Sequence, residues 1–134
     1  MSGDLLGDLL RQVSRSFYLS LAVLPGALRE PIGLAYLLAR AADTITDTKA
    51  IARKDRMAHL ETVRRACAGE PADVATVARA CPLHQPRPAE RKLLERLPEA
   101  LARLEALTPA DRHEVRAVLA TLTSGMIFDL TRFP

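Results

Sequence analysis

Residues Tyr36–Thr48 read YLLARAADTITDT, an apolar segment that ends in two aspartates four positions apart. On a helix advancing about 100° per residue, Tyr36, Arg40, Asp43 and Asp47 fall at relative angles of about 0°, 40°, −20° and 20°, a single narrow stripe. Leu34, Leu37, Leu38 and Ala41 supply a separate buried face, and Ile45 carries it past the first acid. Such a helix must sit in a core on one side and present polar chemistry on the other. Two carboxylates one turn apart suit a hard cation such as Mg²⁺, which takes oxygen ligands, keeps several waters and shares its remaining positions with phosphate oxygens. An ion held there would neutralise a diphosphate and help it leave. The competing reading makes Asp43 and Asp47 solvated surface acids, with Arg40 paired to Asp43 at i+3.

Upstream lies SRSFYLSLAVLP, Ser14–Pro25. A serine at a helix N-cap leaves backbone N–H groups able to bind an anion, and Arg15 adds a guanidinium suited to phosphate oxygens. The plainer alternative is that Ser14 or Ser16 is a cap and Arg15 a surface charge.

The rest of the chain is helical in period, and no useful segment alternates with period two. A first helix is predicted from near Asp4 to Val13, a second from Ser14–Ser16 to Pro25–Gly26, and a third with Pro31 in its first turn, ending near Thr48. ARKDRMAHLETVRRACAG reads as an amphipathic helix with Met57, Leu60, Val63 and Cys67 inward, stopped by Gly69–Pro71. CPLHQPRP, from Cys81, reads as a loop. Pro88 opens a helix to Leu107, bent at Pro98, and Thr108–Asp111 caps a last helix to about Phe133.

With 134 residues the chain is one domain in size, and 49% hydrophobic against 26% charged residues is a globular balance. The charge of +3 tolerates anionic ligands, while no basic run argues for nucleic acid. A helix-turn-helix reading fails for want of a recognition helix, since asparagine is absent and Gln12 and Gln85 are the only glutamines. The apolar runs are too short to span a membrane and the acidic N-terminus is unlike a signal peptide, so the expected location is cytoplasmic, compatible with peripheral membrane contact. Cys67 and Cys81 sit in no disulfide framework, and Cys81-x-x-His84 lacks the second pair a zinc site needs.

SRSFYLSLAVLP followed by GLAYLLARAADTITDT closely resembles the squalene and phytoene synthase family, bacterial squalene synthases in particular. LTSGMIFDLTRF, Leu122–Phe133, resembles that family's cavity-lining helix with its Gly-Met pair. The resemblance implies an all-α isoprenoid synthase-like bundle that joins two farnesyl diphosphates head to head, giving presqualene diphosphate and then, with NADPH, squalene; a phytoene synthase-like enzyme would omit the reduction. Carried over, Asp43 and Asp47 would be the first aspartate-rich Mg²⁺ site, with Tyr36 and Arg40 beside them. Ser14, Arg15, Ser16 and Arg40 would contact diphosphate, and Phe17, Gly125, Met126 and Asp129 would wall the prenyl pocket.

Family members carry a second aspartate-rich motif on a later helix. Here Asp129 has no partner aspartate four residues on, so residues 1–134 are expected to form the N-terminal half of the fold, with apolar faces that self-association or a partner chain would cover. The opposing class is a non-catalytic helical interaction module. Gly125 inside a helix costs about 1 kcal/mol relative to alanine, which a close helix contact or an approaching substrate would justify.

Overall fold

The predicted central helix carries the architecture. In the computed structural model, which describes residues 5–132, it is α3 (Gly26–Asp47), and Leu34, Leu37, Leu38, Ala41, Ala42 and Ile45 on its inner face are each no more than 1% exposed. Before it come a π-helical turn (Leu5–Leu9), the short α1 (Leu10–Val13) and α2 (Arg15–Ala22). After it come α4 (Arg53–Cys67), α5 (Val74–Ala80), a 3₁₀ turn (Cys81–His84), α6 (Pro88–Glu95), α7 (Leu97–Glu105) and α8 (Pro109–Arg132). There is no strand among the described residues, and the fold is all-α. Asp4 and Phe133, the expected ends of the first and last helices, lie outside the described residues.

Helix α3 packs against α4, α6, α7 and α8, and α8 also packs against α4. Leu60, Val63 and Cys67 of α4 point into this core as their spacing predicts, joined by Leu93, Leu94, Leu97, Leu104 and Leu119. The N-terminal turns close on α3 where it has least bulk: a Cβ on Gly33 would come within 2.7 Å of Leu6 Cδ2 and 3.2 Å of Leu21 Cδ2. Helix α4 ends in a Schellman motif, with Glu70 N–H donating to the Arg65 carbonyl at 2.9 Å and Gly69 N–H to that of Ala66 at 3.1 Å. Gly69 adopts φ +85°, a conformation glycine enters without a Cβ penalty.

Four sequence expectations need correction. Helix α3 begins at Gly26, capped by Pro25, so Pro31 lies in its second turn and the preceding helix stops at Ala22. The proline is tolerated because the Ala27 carbonyl it leaves without a donor is on an exposed residue. The 88–107 segment is two helices, broken at Arg96 because Pro98 cannot donate to the Leu94 carbonyl and its ring would clash there; Pro98 instead occupies the first turn of α7. Residues 74–80, given no element by periodicity, form α5, started by Asp73 accepting from Thr76 N–H at 3.3 Å. Cys81–His84 is a 3₁₀ turn with Cys81 and Pro82 buried, leaving only Gln85–Arg87 as irregular chain.

Leu38→Ala should lower unfolding free energy by about 2–5 kcal/mol in urea titrations, because the surrounding helices cannot collapse fully into the space left behind. Leu19→Ala, at a side chain 56% exposed, should stay within about 0.5 kcal/mol of wild type.

Candidate functional site

The outer stripe of α3 opens on a cleft of about 890 Å³ whose far wall is the segment Leu83–Arg87 with Glu90. Arg40, Asp43, Thr44 and Asp47 line the helix side, and Lys49, His84 and Arg87 bring basic or titratable groups to the rim. Both walls are held by named bonds. Gln85, only 8% exposed, donates through Nε2 to Thr48 Oγ1 at 2.6 Å, and Thr48 Oγ1 donates to the Thr44 carbonyl at 2.6 Å. Arg56 of α4 donates to the carbonyls of Thr46 at 2.8 Å and Ile51 at 3.0 Å, satisfying the C-terminal end of α3 and fixing the turn after Asp47.

A second set of contacts runs along the stripe toward its N-terminal side. Phe17 of α2 stacks on Tyr36, with centroids 4.1 Å apart and planes 11° from parallel. Arg40 Nη1 donates to the Tyr36 hydroxyl at 3.5 Å, a long contact, and its Nη2 donates to Glu90 Oε1 at 3.0 Å. Thr44 Oγ1 donates to Glu90 Oε2 at 2.8 Å. Burial pulls the Arg40 pKa down, but the hydrogen bond and charge of Glu90 outweigh it and hold the guanidinium above its ordinary value.

Asp43 and Asp47 are exposed, and neither accepts a hydrogen bond or ion pair among the described residues. Partial burial raises the Asp43 pKa above the ordinary 3.8, the charge of Asp47 raises it further, and Arg40 opposes both. Two unneutralised carboxylates that repel each other form a cation-attracting edge, with Thr44 and Thr48 hydroxyls nearby. No cluster of three or more His, Cys, Asp or Glu occurs among the described residues, so the edge is two-sided at most and any ion on it keeps water or ligand oxygens for the rest of its shell.

The other sequence-selected residues are placed differently. Ser14 is the N-cap of α2, its Oγ accepting from Phe17 N–H at 3.3 Å, while Arg15 and Ser16 are exposed in the first turn. Phe17 ties this turn to Tyr36, but Ser14, Arg15 and Ser16 do not line the cleft. Met126 packs half-buried against the core; Gly125 and Asp129 lie on the exposed side of α8, and none of the three lines the cleft. A Cβ at Gly125 would meet nothing within 4 Å, so no close helix contact explains that glycine.

The sequence pattern assigned no role to Glu90. It is 7% exposed. The visible signal was its place three residues before the apolar pair Leu93–Leu94, which puts it on the inward side of α6. The Arg40–Asp43 pair of the competing surface-acid reading does not form, since the buried acid Glu90 takes the arginine.

The family model described as squalene/phytoene synthase matches residues 10–134. A bifunctional lycopene cyclase/phytoene synthase of Blakeslea trispora is 34% identical over 58 residues, which is 43% of this chain and 10% of that protein. The matched part thus spans about a tenth of that relative's length.

Because the Asp43 pKa is raised in the folded state, the ionised carboxylate opposes folding above the unfolded value near 3.8. Asp43→Asn should therefore raise the melting temperature of the metal-free protein at pH 7, and the gain should vanish below about pH 3.8, where the acid is protonated in both states. Melts at pH 3 and pH 7 compare the two directly.

Proposed function

The chain belongs to the squalene/phytoene synthase family, and from that premise we propose that it supplies the first metal–diphosphate half-site of a head-to-head isoprenoid condensation. The observation that carries the reading is the free pair Asp43 and Asp47 facing an open cleft with basic groups on its rim. Mg²⁺ fits the donor set, since two outward carboxylates leave most of its octahedron to water and diphosphate oxygens. When bound, the ion would offset charge on a departing diphosphate. Arg40, held by Glu90, stands beside the pair as a fixed cation for the same oxygens. Phe17 and Tyr36 extend the stripe with a stacked aromatic wall suited to an apolar prenyl tail.

Two farnesyl diphosphates are the proposed substrates, condensed to presqualene diphosphate with loss of one diphosphate. Loss of the second diphosphate and hydride delivery from NADPH would then give squalene. A phytoene-type condensation without reduction is the second reading, favoured by the similarity to the bifunctional lycopene cyclase/phytoene synthase of Blakeslea trispora.

Exposed Leu19, Val23, Val118, Leu122 and Phe128 support a covering partner, either a second copy or another chain, that completes the bundle. Among the described residues no helix is long and apolar enough to cross a membrane, and the proposed location is the cytoplasm, with peripheral membrane contact for a water-insoluble product.

Calorimetric titration with farnesyl thiodiphosphate tests the reading. Binding should require Mg²⁺ and weaken at least about tenfold, or about 1.4 kcal/mol, in the Asp43→Asn/Asp47→Asn variant. Equal binding with and without metal, or no binding by a folded chain, would show the acidic stripe to be silent. A stronger response to the geranylgeranyl analogue would favour the phytoene-type reading.

A further inference from the structure

Arg40 stands three residues before Asp43 on α3, a spacing at which arginine and aspartate meet on a helix surface. In the structure it turns instead to Glu90 of α6, 50 positions away in sequence. We propose that Glu90 is a positioning residue that intercepts Arg40, keeping Asp43 and Asp47 unneutralised for a divalent cation. This rests on the reading of the two aspartates as metal carboxylates.

The preference follows from where the acids sit. Glu90 is 7% exposed and Asp43 is exposed. A buried carboxylate without a partner loses its hydration with nothing in return, whereas an exposed one keeps its water. Arg40 is therefore worth more to Glu90 than to Asp43.

Thr44 sets the angle of the exchange. Its hydroxyl occupies Glu90 Oε2 at 2.8 Å, which leaves Oε1 turned to Arg40 at 3.0 Å. Thr44 and Arg40 are themselves one turn apart on α3, so the helix that carries the acidic pair also holds the buried acid by two points. Tyr36 receives the other guanidinium nitrogen at 3.5 Å, away from Asp43. All of these contacts draw Arg40 toward the inner edge of the stripe and leave the outer edge anionic.

The test is titration of the full chain with Mn²⁺ and with Mg²⁺ alone, alongside assignment of the Arg40 guanidinium ¹⁵N–¹H signals. In Glu90→Gln, Arg40 should swing to Asp43, its proton contacts should move from Tyr36 to Asp43, and metal affinity should fall about tenfold. The Glu90→Gln/Arg40→Gln variant leaves no charge buried without a partner, so it guards against loss of fold, and its affinity should return to at least the wild-type level. Unchanged affinity in Glu90→Gln, or a fall with Arg40 still in its wild-type position, would overturn interception while leaving the metal site standing. No metal binding by the wild-type chain would overturn the underlying site reading and the proposal together.

Discussion

The buried leucine face of α3 is the constraint on which the rest depends. With Leu34, Leu37, Leu38, Ala41 and Ile45 committed to the core, the helix cannot rotate, because a turn of even one residue position would carry leucine into water and aspartate into hydrocarbon. The acidic stripe is thus oriented by apolar packing on the opposite side of the same helix. No direct bond to Asp43 or Asp47 is needed to aim them, which is why both can remain free.

What rotation alone leaves undefined, the ion pair with Glu90 and the tether through Gln85 define. The wall across the cleft belongs to a short irregular segment between a 3₁₀ turn and α6, and such a segment has little intrinsic stiffness. It is fixed at one end by Gln85 on Thr48 and at the other by Glu90 on Arg40 and Thr44. Arg40 and Thr44 of α3 and Thr48, the residue that caps its C-terminus, each one turn from the next, thereby fasten the facing wall. The pair is only partly shielded, since Arg40 retains 32% of its side-chain exposure, so its energetic weight lies between that of a surface bridge and a buried one. Its geometric weight is larger, because it decides where a charge points.

Much of this was legible in the sequence. The period of about 3.6 gave the helices, the angular arithmetic put Tyr36, Arg40, Asp43 and Asp47 on one stripe, and the motif resemblance agreed with the family match. The boundaries that fail do so at prolines: Pro31 reads as a helix start and Pro98 as a bend, since a ring without an N–H marks a disturbance but not its side of the break. Helix α5 was too short to show a period. Glu90 stayed hidden for a different reason. A glutamate among charged neighbours on an amphipathic helix looks solvated until its partner is known, and that partner lies 50 positions upstream, beyond any local pattern.

Both cysteines are buried in the core, Cys67 with its thiol pushed up to about 12 and Cys81 to about 11. Burial opposes the thiolate in each, and the thiolate is the reactive form. The native fold consequently offers a chemically quiet background for maleimide or nitroxide probes at neutral pH. A single cysteine introduced at an exposed rim position such as Arg87 would be the one thiol to react, so the mobility of the cleft rim can be followed in solution without first removing a native residue from the core.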